Sequence, residues 1–474
     1  MNFKKLFATE DLLAVWIGFF LLAVVTIIHF SYKGEVIEKQ KMAETSEQVK
    51  AITSTNTPIG AKLKDFVGMP KKWDVNPLNS IYPEGNGVRF LLNLLGLGIF
   101  LALLFGLGVK LMGFSMREFL KGFALIFVLA IISFVLGSQS EVSYLGINYA
   151  FWAIAIGIII ANTVGVPNWL KAAARSEYFI KTGLVIMGAE ILMSKILAIG
   201  IPGIFVAWVV TPIVLIVTFI FGQKVLKLKS KSLNMTICAD MSVCGVSAAI
   251  ATASACKAKK EELTIAITLS MVFTIVMMTV MPMIIKLVGM PEVLAGAWLG
   301  GTLDATGAVA AAGKFVGDTA LDVAATIKMI QNVLIGFVAF FVALYWTLKV
   351  ERDKNAPRPR PIEIWNRFPK FILGFIGASI VFSILYTSMD ADVSKALIDN
   401  GVIKGFTKYI KDWLFCLAFV AIGLNASFKE FRQHIQGSKH ITLYVCGQLF
   451  NILLTLGMAY LMFYVVFPEI TATI

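Results

Sequence analysis

Apolar runs of about 20 residues, separated by short polar connections, recur from end to end of the 474-residue chain. Each is about long enough to cross ~30 Å of hydrocarbon as a helix. They fall near residues 12–30, 88–109, 120–137, 148–166, 178–199, 202–223, 262–287, 323–348, 368–388, 412–428 and 441–467. The runs are continuous and lack the alternation of a membrane β-barrel. The pattern predicts an all-α polytopic membrane protein with about eleven transmembrane helices. One substantial polar region, residues 31–87, interrupts it. Its first half, "EVIEKQKMAETSEQVKAI", is helix-competent; its second half, with Pro70, Pro77, Pro83 and Gly85, is loop-like. No small-x-small cleavage site follows the first run, which therefore reads as an uncleaved anchor. The expected organisation is an anchor helix at 1–30, an extracytoplasmic polar segment at 31–87 and a transporter domain at 88–474.

Two stretches do not fit the alternation of span and loop. "ADMSVCGVSAAIATASA" (239–255) and "GGTLDATGAVAAAG" (300–313) carry small residues, glycines and one aspartate each where bulky apolar residues are expected. The charge pattern bears on their path. Lys and Arg in 110–121, at 171 and 175, and in 224–231, 349–361 and 429–440 all fall on one side if the amino terminus is cytoplasmic and the carboxyl terminus extracytoplasmic. A full crossing by 233–258 would place "KAKK" (257–260) outside, against that rule. A segment that dips in and returns keeps it inside, and 292–316 then dips from the opposite face. Two broken or re-entrant elements entering from opposite sides are expected of an inverted-repeat secondary transporter. "CGVSAA" (244–249) and "TGAVAA" (306–311) share a polar-Gly-x-x-Ala-Ala pattern. "GLVIMGAEILMSKI" (183–196) and "AFVAIGLNASFKEF" (418–431) share glycine placement, in keeping with such a repeat.

Composition supports this reading. The chain is 58% hydrophobic and 15% charged, against roughly a quarter charged in a soluble domain. The net charge of +13 is accounted for by the cytoplasmic loops, so nucleic acid is not expected as a partner. Five cysteines without a CxxC pair and three scattered histidines give no metal or disulfide framework, and no cofactor is expected.

The candidate chemistry lies in and around the two stretches. Irregular backbone at membrane depth survives only where protein or a water-filled cavity satisfies its amides. Gly245 and Gly307 permit close approach, and each precedes a possible half-helix start that Ser247 or Thr306 would cap. Such starts offer free N–H groups and a positive dipole end to an anion. Ser242, Ser247, Thr302 and Thr306 supply hydroxyls for a substrate. Asp240 and Asp304 are costly at the centre of a bilayer, by roughly 2.5–3.5 kcal/mol each on insertion scales. They suit binding of H+ or Na+, or pairing with Lys328, for which snorkelling to the surface is the plainer reading. Glu190 and Asn425 occupy matching places in the second repeat candidate and are grouped with the aspartates for ion coupling. Tyr149 and Trp152 read as interfacial belt aromatics.

From about residue 90 onward the chain resembles the sulfate exporter family of YeiH-type bacterial membrane proteins. The resemblance rests on "SVCGVSAAIA" (242–251), "KAKKEELTIAIT", "GAWLGGTLDATGAVAAAG" (296–313), "AATIKMIQNVL" (324–334), "FPKFILGF" (368–375) and "AFVAIGLNASFKEF". Cys244, Gly245, Ser247 and Lys328 carry over to the matched positions. The family's Ile-His-Glu triplet is replaced by Leu303, Asp304 and Ala305; a common glycine becomes Asp240 and a frequent arginine becomes Gln331. What the resemblance implies is an inner-membrane exporter of sulfate-like or small organic anions.

These observations lead to a secondary transporter of a small inorganic or organic anion coupled to H+ or Na+, embedded in the lipid bilayer, with homo-oligomerisation open. A cation/proton antiporter is the alternative. An intramembrane aspartyl enzyme is a more distant one, because no GxGD-type motif is present. No phosphate-binding loop for ATP appears.

Overall fold

The long apolar runs fold into helices whose starts are marked by the expected capping side chains. Thr9, Ser115, Asn148 and Ser230 each accept an N–H from the first turn of the helix that follows. The computed structural model describes residues 9–41, 58–144, 147–191, 193–351, 360–362, 365, 368–426 and 438–474. In chain order the principal helices are α1 (Glu10–Phe30), α2 (Gly87–Leu111), α3 (Met116–Gly137), α4 (Tyr149–Thr163), α5 (Ser176–Glu190), α6 (Ile196–Val225), α7 (Lys231–Ala239), α8 (Gly245–Ala255), α9 (Lys260–Leu287), α10 (Glu292–Thr302), α11 (Thr306–Val316), α12 (Asp318–Val350), α13 (Lys370–Thr387), α14 (Lys408–Leu424) and α15 (Lys439–Val466).

Among the described residues, nine stretches are long and apolar enough to cross a membrane, against the eleven or so expected. Three expected runs fall short for local reasons, and one stretch outside the expected eleven, 231–255, meets the length and apolarity. The run at 148–166 yields only the 15-residue α4. The run at 178–199 breaks after Glu190, where Ile191 turns extended at φ −105° and ψ 107°. The run at 412–428 gives the 17-residue α14, which starts at Lys408. The basic connections at 352–359 and 427–437 lie outside the described residues.

The chain forms two units, one comprising Met1–Met193 with Lys370–Asn425, the other Ser194–Pro369 with Ala426–Ile474. In the first, α1 lies along α5 through Arg175–Glu10 (2.9 Å) and Lys181–Asp11 (2.7 Å) pairs. The polar segment is anchored there too: Trp73 donates to Val135 O at 2.7 Å and Trp413 to Val67 O at 3.1 Å. Tyr149 and the acid it contacts are buried, so Tyr149 is a core residue and not a belt aromatic: its hydroxyl donates to Asp412 at 3.1 Å.

In the second unit both irregular stretches are hairpins. By length and apolarity residues 231–255 would cross a bilayer, but the chain doubles back. Cys256 lies against the start of α7, with its Sγ 3.7 Å from both Thr236 Oγ1 and Ser232 O. A continuous helix would hold those positions about 30 Å or more apart. The reversal follows a widened helical turn over Asp240–Cys244 and occurs at Gly245, whose φ of +43° favours glycine. Burial agrees: 78% of the most apolar part of this stretch is buried, against 28–50% in the other candidate spans. The second hairpin pairs α10 with α11 through an extended link at Leu303–Ala305. Its two ends meet where the Glu292 carboxylate accepts N–H groups of Thr319 (3.1 Å) and Ala320 (3.3 Å). The arms run 9 to 11 residues, about 14–17 Å, too short to cross singly.

The 28-residue α9 fixes their relation. Glu262, in its first turn, binds the Ser230 and Ser232 hydroxyls at the base of the first hairpin (2.5 and 2.8 Å). Its far end leads directly into α10. The hairpins therefore enter from opposite ends of a helix about 42 Å long, and both reach its middle. Gly245 faces Ser270 there, and Asp304 faces Thr274.

In the first unit, α4 and α14 cross at Gly157 and Gly423. A Cβ added at Gly157 would sit 2.6 Å from Val420 O and 2.7 Å from the Gly423 Cα. Gly157→Ala is expected to destabilise by about 1–3 kcal/mol through overpacking. Gly34→Ala, where nothing lies within 4 Å, should be nearly neutral. Thermal unfolding of both variants in detergent checks this, and equal melting temperatures would contradict the packing described.

Candidate functional site

Each hairpin tip presents the last carbonyls of its first arm, groups with no partner inside their own helix. In a water-poor core each orphan would cost several kcal/mol. Three side chains from two other helices take three consecutive carbonyls from each tip. Lys328 on α12 donates to Val243 O (2.6 Å) and Leu303 O (2.7 Å). Gln331, one turn further, places Nε2 3.1 Å from Ser242 O and 3.2 Å from Gly301 O. Asn451 on α15 reaches Met241 O (3.4 Å) and Thr302 O (3.3 Å). Every one of the three bridges both tips. Lys328 gives its remaining proton to Gln331 Oε1 at 2.6 Å, which fixes that amide so that its NH2 faces the carbonyls and the Thr211 hydroxyl. A cation at two converging helix C-termini also complements their dipoles.

Lys328 is 1% exposed, so it does not snorkel. Nor is its ammonium open to a substrate, since all three protons are spent on protein oxygens. In this structure Lys328 braces the tips.

The two aspartates differ sharply. Asp304, in the link of the second hairpin, accepts from Gln448 Nε2 (2.7 and 2.9 Å), from the Tyr444 hydroxyl and from Thr274 Oγ1 (3.5 Å). Asp240 is fully buried, and neither of its carboxyl oxygens has a hydrogen-bond partner. Ser270 is its neighbouring hydroxyl, close enough to act on it electrostatically without a formed hydrogen bond. Asp304 and Lys328 also lie within electrostatic range of Asp240.

The second arms begin at the same place. Gly245 opens α8 and Thr306 opens α11; the Gly245 N–H is taken by Asp240 O, and the N–H groups that follow in each first turn have no carbonyl of their own helix to take them. Neither start has a side-chain cap, so the capping expected of Ser247 and Thr306 does not occur. Ser247 is exposed, away from the buried tip. Ser242 turns its hydroxyl back to Cys238 O at 2.6 Å, as a buried helical serine commonly does. Thr306 Oγ1 accepts from Asn332 Nδ2 (3.1 Å) and lies 3.8 Å from the Cys244 thiol, while Gly307 is buried in the first turn of α11. The Thr302 hydroxyl and Asn332 Oδ1 are buried without partners. The tips therefore retain two uncapped helix starts, one hydroxyl, one amide oxygen and one bare carboxyl group.

Glu190 and Asn425 belong to the other unit. Glu190 ends α5 and pairs with the buried Lys411, and its second oxygen has no partner. Asn425 donates to Ala174 O at 3.1 Å.

Several site residues escaped the sequence reading. Tyr444, Gln448, Asn451 and Thr455 form one buried face of α15. Their 4-3-4 spacing in an otherwise apolar run is a helical stripe, a legible signal overshadowed by the glycine-rich stretches. Thr274 and Ser270 repeat that signal on α9. Lys411 falls just outside the expected run at 412–428, and neither it nor Asp412 is singled out there, whereas the helix begins at Lys408 and buries both.

Comparison with known proteins places this architecture. The profile of the family described as Conserved hypothetical protein 698 matches residues 121–443. A UPF0324 membrane protein of Nitratidesulfovibrio vulgaris is 62% identical over 376 residues, covering 79% of this chain and 65% of that protein. Another of Rhodopirellula baltica is 54% identical over 410 residues, covering 86% and 74%. This chain belongs to the UPF0324 family of membrane proteins. It is a multi-pass membrane protein, all-helical throughout its described regular structure. The match spans slightly under two thirds of the length of the Nitratidesulfovibrio UPF0324 relative. No solved structure matches the chain.

If the brace holds the tips, Lys328→Met should destabilise by about 3–5 kcal/mol, the usual cost of removing one partner from a buried charged cluster. Adding Asp304→Asn should recover part of that loss by removing the charge left unbalanced. Thermal unfolding of the single and double variants measures both, and a Lys328→Met protein as stable as the parent would refute the brace.

Proposed function

We propose that this protein is a secondary active transporter, moving a small anion of the sulfate or organic-acid class with H+ or Na+ as the coupling ion. The observation that carries this reading is the unequal satisfaction of the two hairpin tips. Their C-terminal carbonyls are neutralised by Lys328, Gln331 and Asn451, while the uncapped starts at Gly245 and Thr306 and the Asp240 carboxyl are left over. Positive helix ends suit an anion, and a carboxyl beside them suits a cation that travels with it. Two hairpins entering from opposite ends of α9 support an inverted-repeat design, in which alternating access exposes a central site to either side in turn. The resemblance to sulfate exporters supports the anion class and outward transport. The charge pattern of the loops supports a cytoplasmic amino terminus, an extracytoplasmic carboxyl terminus and residence in the cell inner membrane.

An aspartyl acid/base dyad fits the same residues less well. Such a dyad needs two carboxyls free to share a proton and a substrate, and Asp304 is engaged by three side chains.

The test is flux into proteoliposomes of labelled sulfate, a small sulfonate and a dicarboxylate, under imposed pH and Na+ gradients. At least one solute should accumulate in response to one gradient. Thr302→Val, which removes an unpartnered hydroxyl at the tip, should lower its flux by about tenfold, as expected for loss of one hydrogen bond to a charged group. Absence of gradient-driven flux for every solute would overturn the transport reading.

A further inference from the structure

The two aspartates at the hairpin tips carry unequal burdens, and the inequality assigns the coupling ion. We infer that the coupling ion is a single proton and that Asp240, not Asp304, carries it. The inference deepens the transport reading and rests on it for its role in a cycle, though not for the site itself.

The first step is hydrogen-bond accounting. A carboxylate in a core without water needs donors or a counter-cation. Asp304 has donors in Tyr444, Gln448 and Thr274. Asp240 has none, although it is 0% exposed. Ionised and empty, it would be the least tolerable group in the unit. Occupied by a proton, it is a neutral carboxyl facing the Ser270 hydroxyl from α9.

The second step is charge. The charged and titratable groups facing Asp240 are Asp304 from the second tip, Lys328 from α12 and Tyr444 from α15, while Cys244 on its own hairpin acts on Lys328. Two carboxylates against one ammonium leave one negative charge over. A single monovalent cation balances the site, so the count is one per site.

The third step separates H+ from Na+. Sodium sites at broken helices are built from unwound backbone carbonyls. Here the tip carbonyls of residues 241–243 and 301–303 are already taken by Lys328, Gln331 and Asn451. The unpartnered oxygens that remain are the two of Asp240, the Thr302 hydroxyl and Asn332 Oδ1, with none of the unwound carbonyls a sodium site is built on, whereas a proton needs one oxygen. In the cycle, Asp240 COO⁻ gains H+ from one side to become COOH and returns it to the other; no other bond changes.

The experiment is an infrared titration of the purified full-length protein with no added solute, read at the protonated-carboxyl C=O band. The parent protein is expected to show a band that disappears as pH rises. Asp240→Asn and Asp240→Ala, which remove an unbalanced charge and should fold, are expected to lack it, while Asp304→Asn keeps it. Replacing choline by Na+ at fixed pH should leave the band unchanged. A band that persists in Asp240→Asn, or one that Na+ abolishes, would overturn the assignment. Parallel flux measurements separate the two claims. A parent that transports but shows no such band defeats the proton assignment alone, and a parent with the band but no flux defeats the transport reading alone. With both present, Asp240→Asn should lose the response of flux to an imposed pH gradient.

Discussion

Everything at the centre of the second unit depends on six backbone carbonyls that would otherwise have no partner. Breaking a helix inside a membrane protein strands the ends of its arms, and the chain tolerates this only because three long polar side chains cross both breaks at once. Lys328, Gln331 and Asn451 each bond one carbonyl from each hairpin. They make the two tips one assembly. Because the brace satisfies the negative ends of the half-helices, their positive ends remain for a ligand. The same feature that makes the broken helices tolerable thus gives the site its polarity.

The glycines and small residues of the two stretches have a complementary role. Gly245 supplies a backbone conformation at φ +43° that reverses the chain within a single residue. A Cβ there would approach Ser270 Oγ at 3.3 Å and Asp304 O at 3.5 Å, so the tips meet with little room between them. Small residues admit close approach, polar residues from α12 and α15 lock it, and Asp240 is held without a hydrogen-bond partner, sharing the Lys328 charge with Asp304.

Much of this was legible in the sequence, because its strongest signals are anomalies against an apolar background. Asp240, Asp304, Gly245 and Lys328 stood out as costly or backbone-breaking residues inside otherwise lipid-soluble runs, and the positive-inside pattern favoured a dip over a crossing at 233–258. What was not legible is how hydrogen bonds are shared. Sequence shows that Lys328 is charged and deep, but not that carbonyls from two distant segments consume its protons. The stripe on α15 was readable in principle from its 4-3-4 spacing, yet tyrosine, glutamine and asparagine in a span carry weaker signals than charge. The break after Glu190 left less trace still, since "AEILMSK" has neither glycine nor proline at the interruption.

The most direct test of the central claim is whether the two tips touch in the membrane. Cys244 Sγ lies 3.8 Å from Thr306 Oγ1, so Thr306→Cys in a background with the other four cysteines replaced provides a pair for oxidative cross-linking in native vesicles. Peptide mass spectrometry should then recover residues 244 and 306 joined by a disulfide. Failure of that pair to join, while a pair set at the base of the first hairpin (Cys256 with Ser232→Cys) does, would contradict the meeting of the tips on which the account is built.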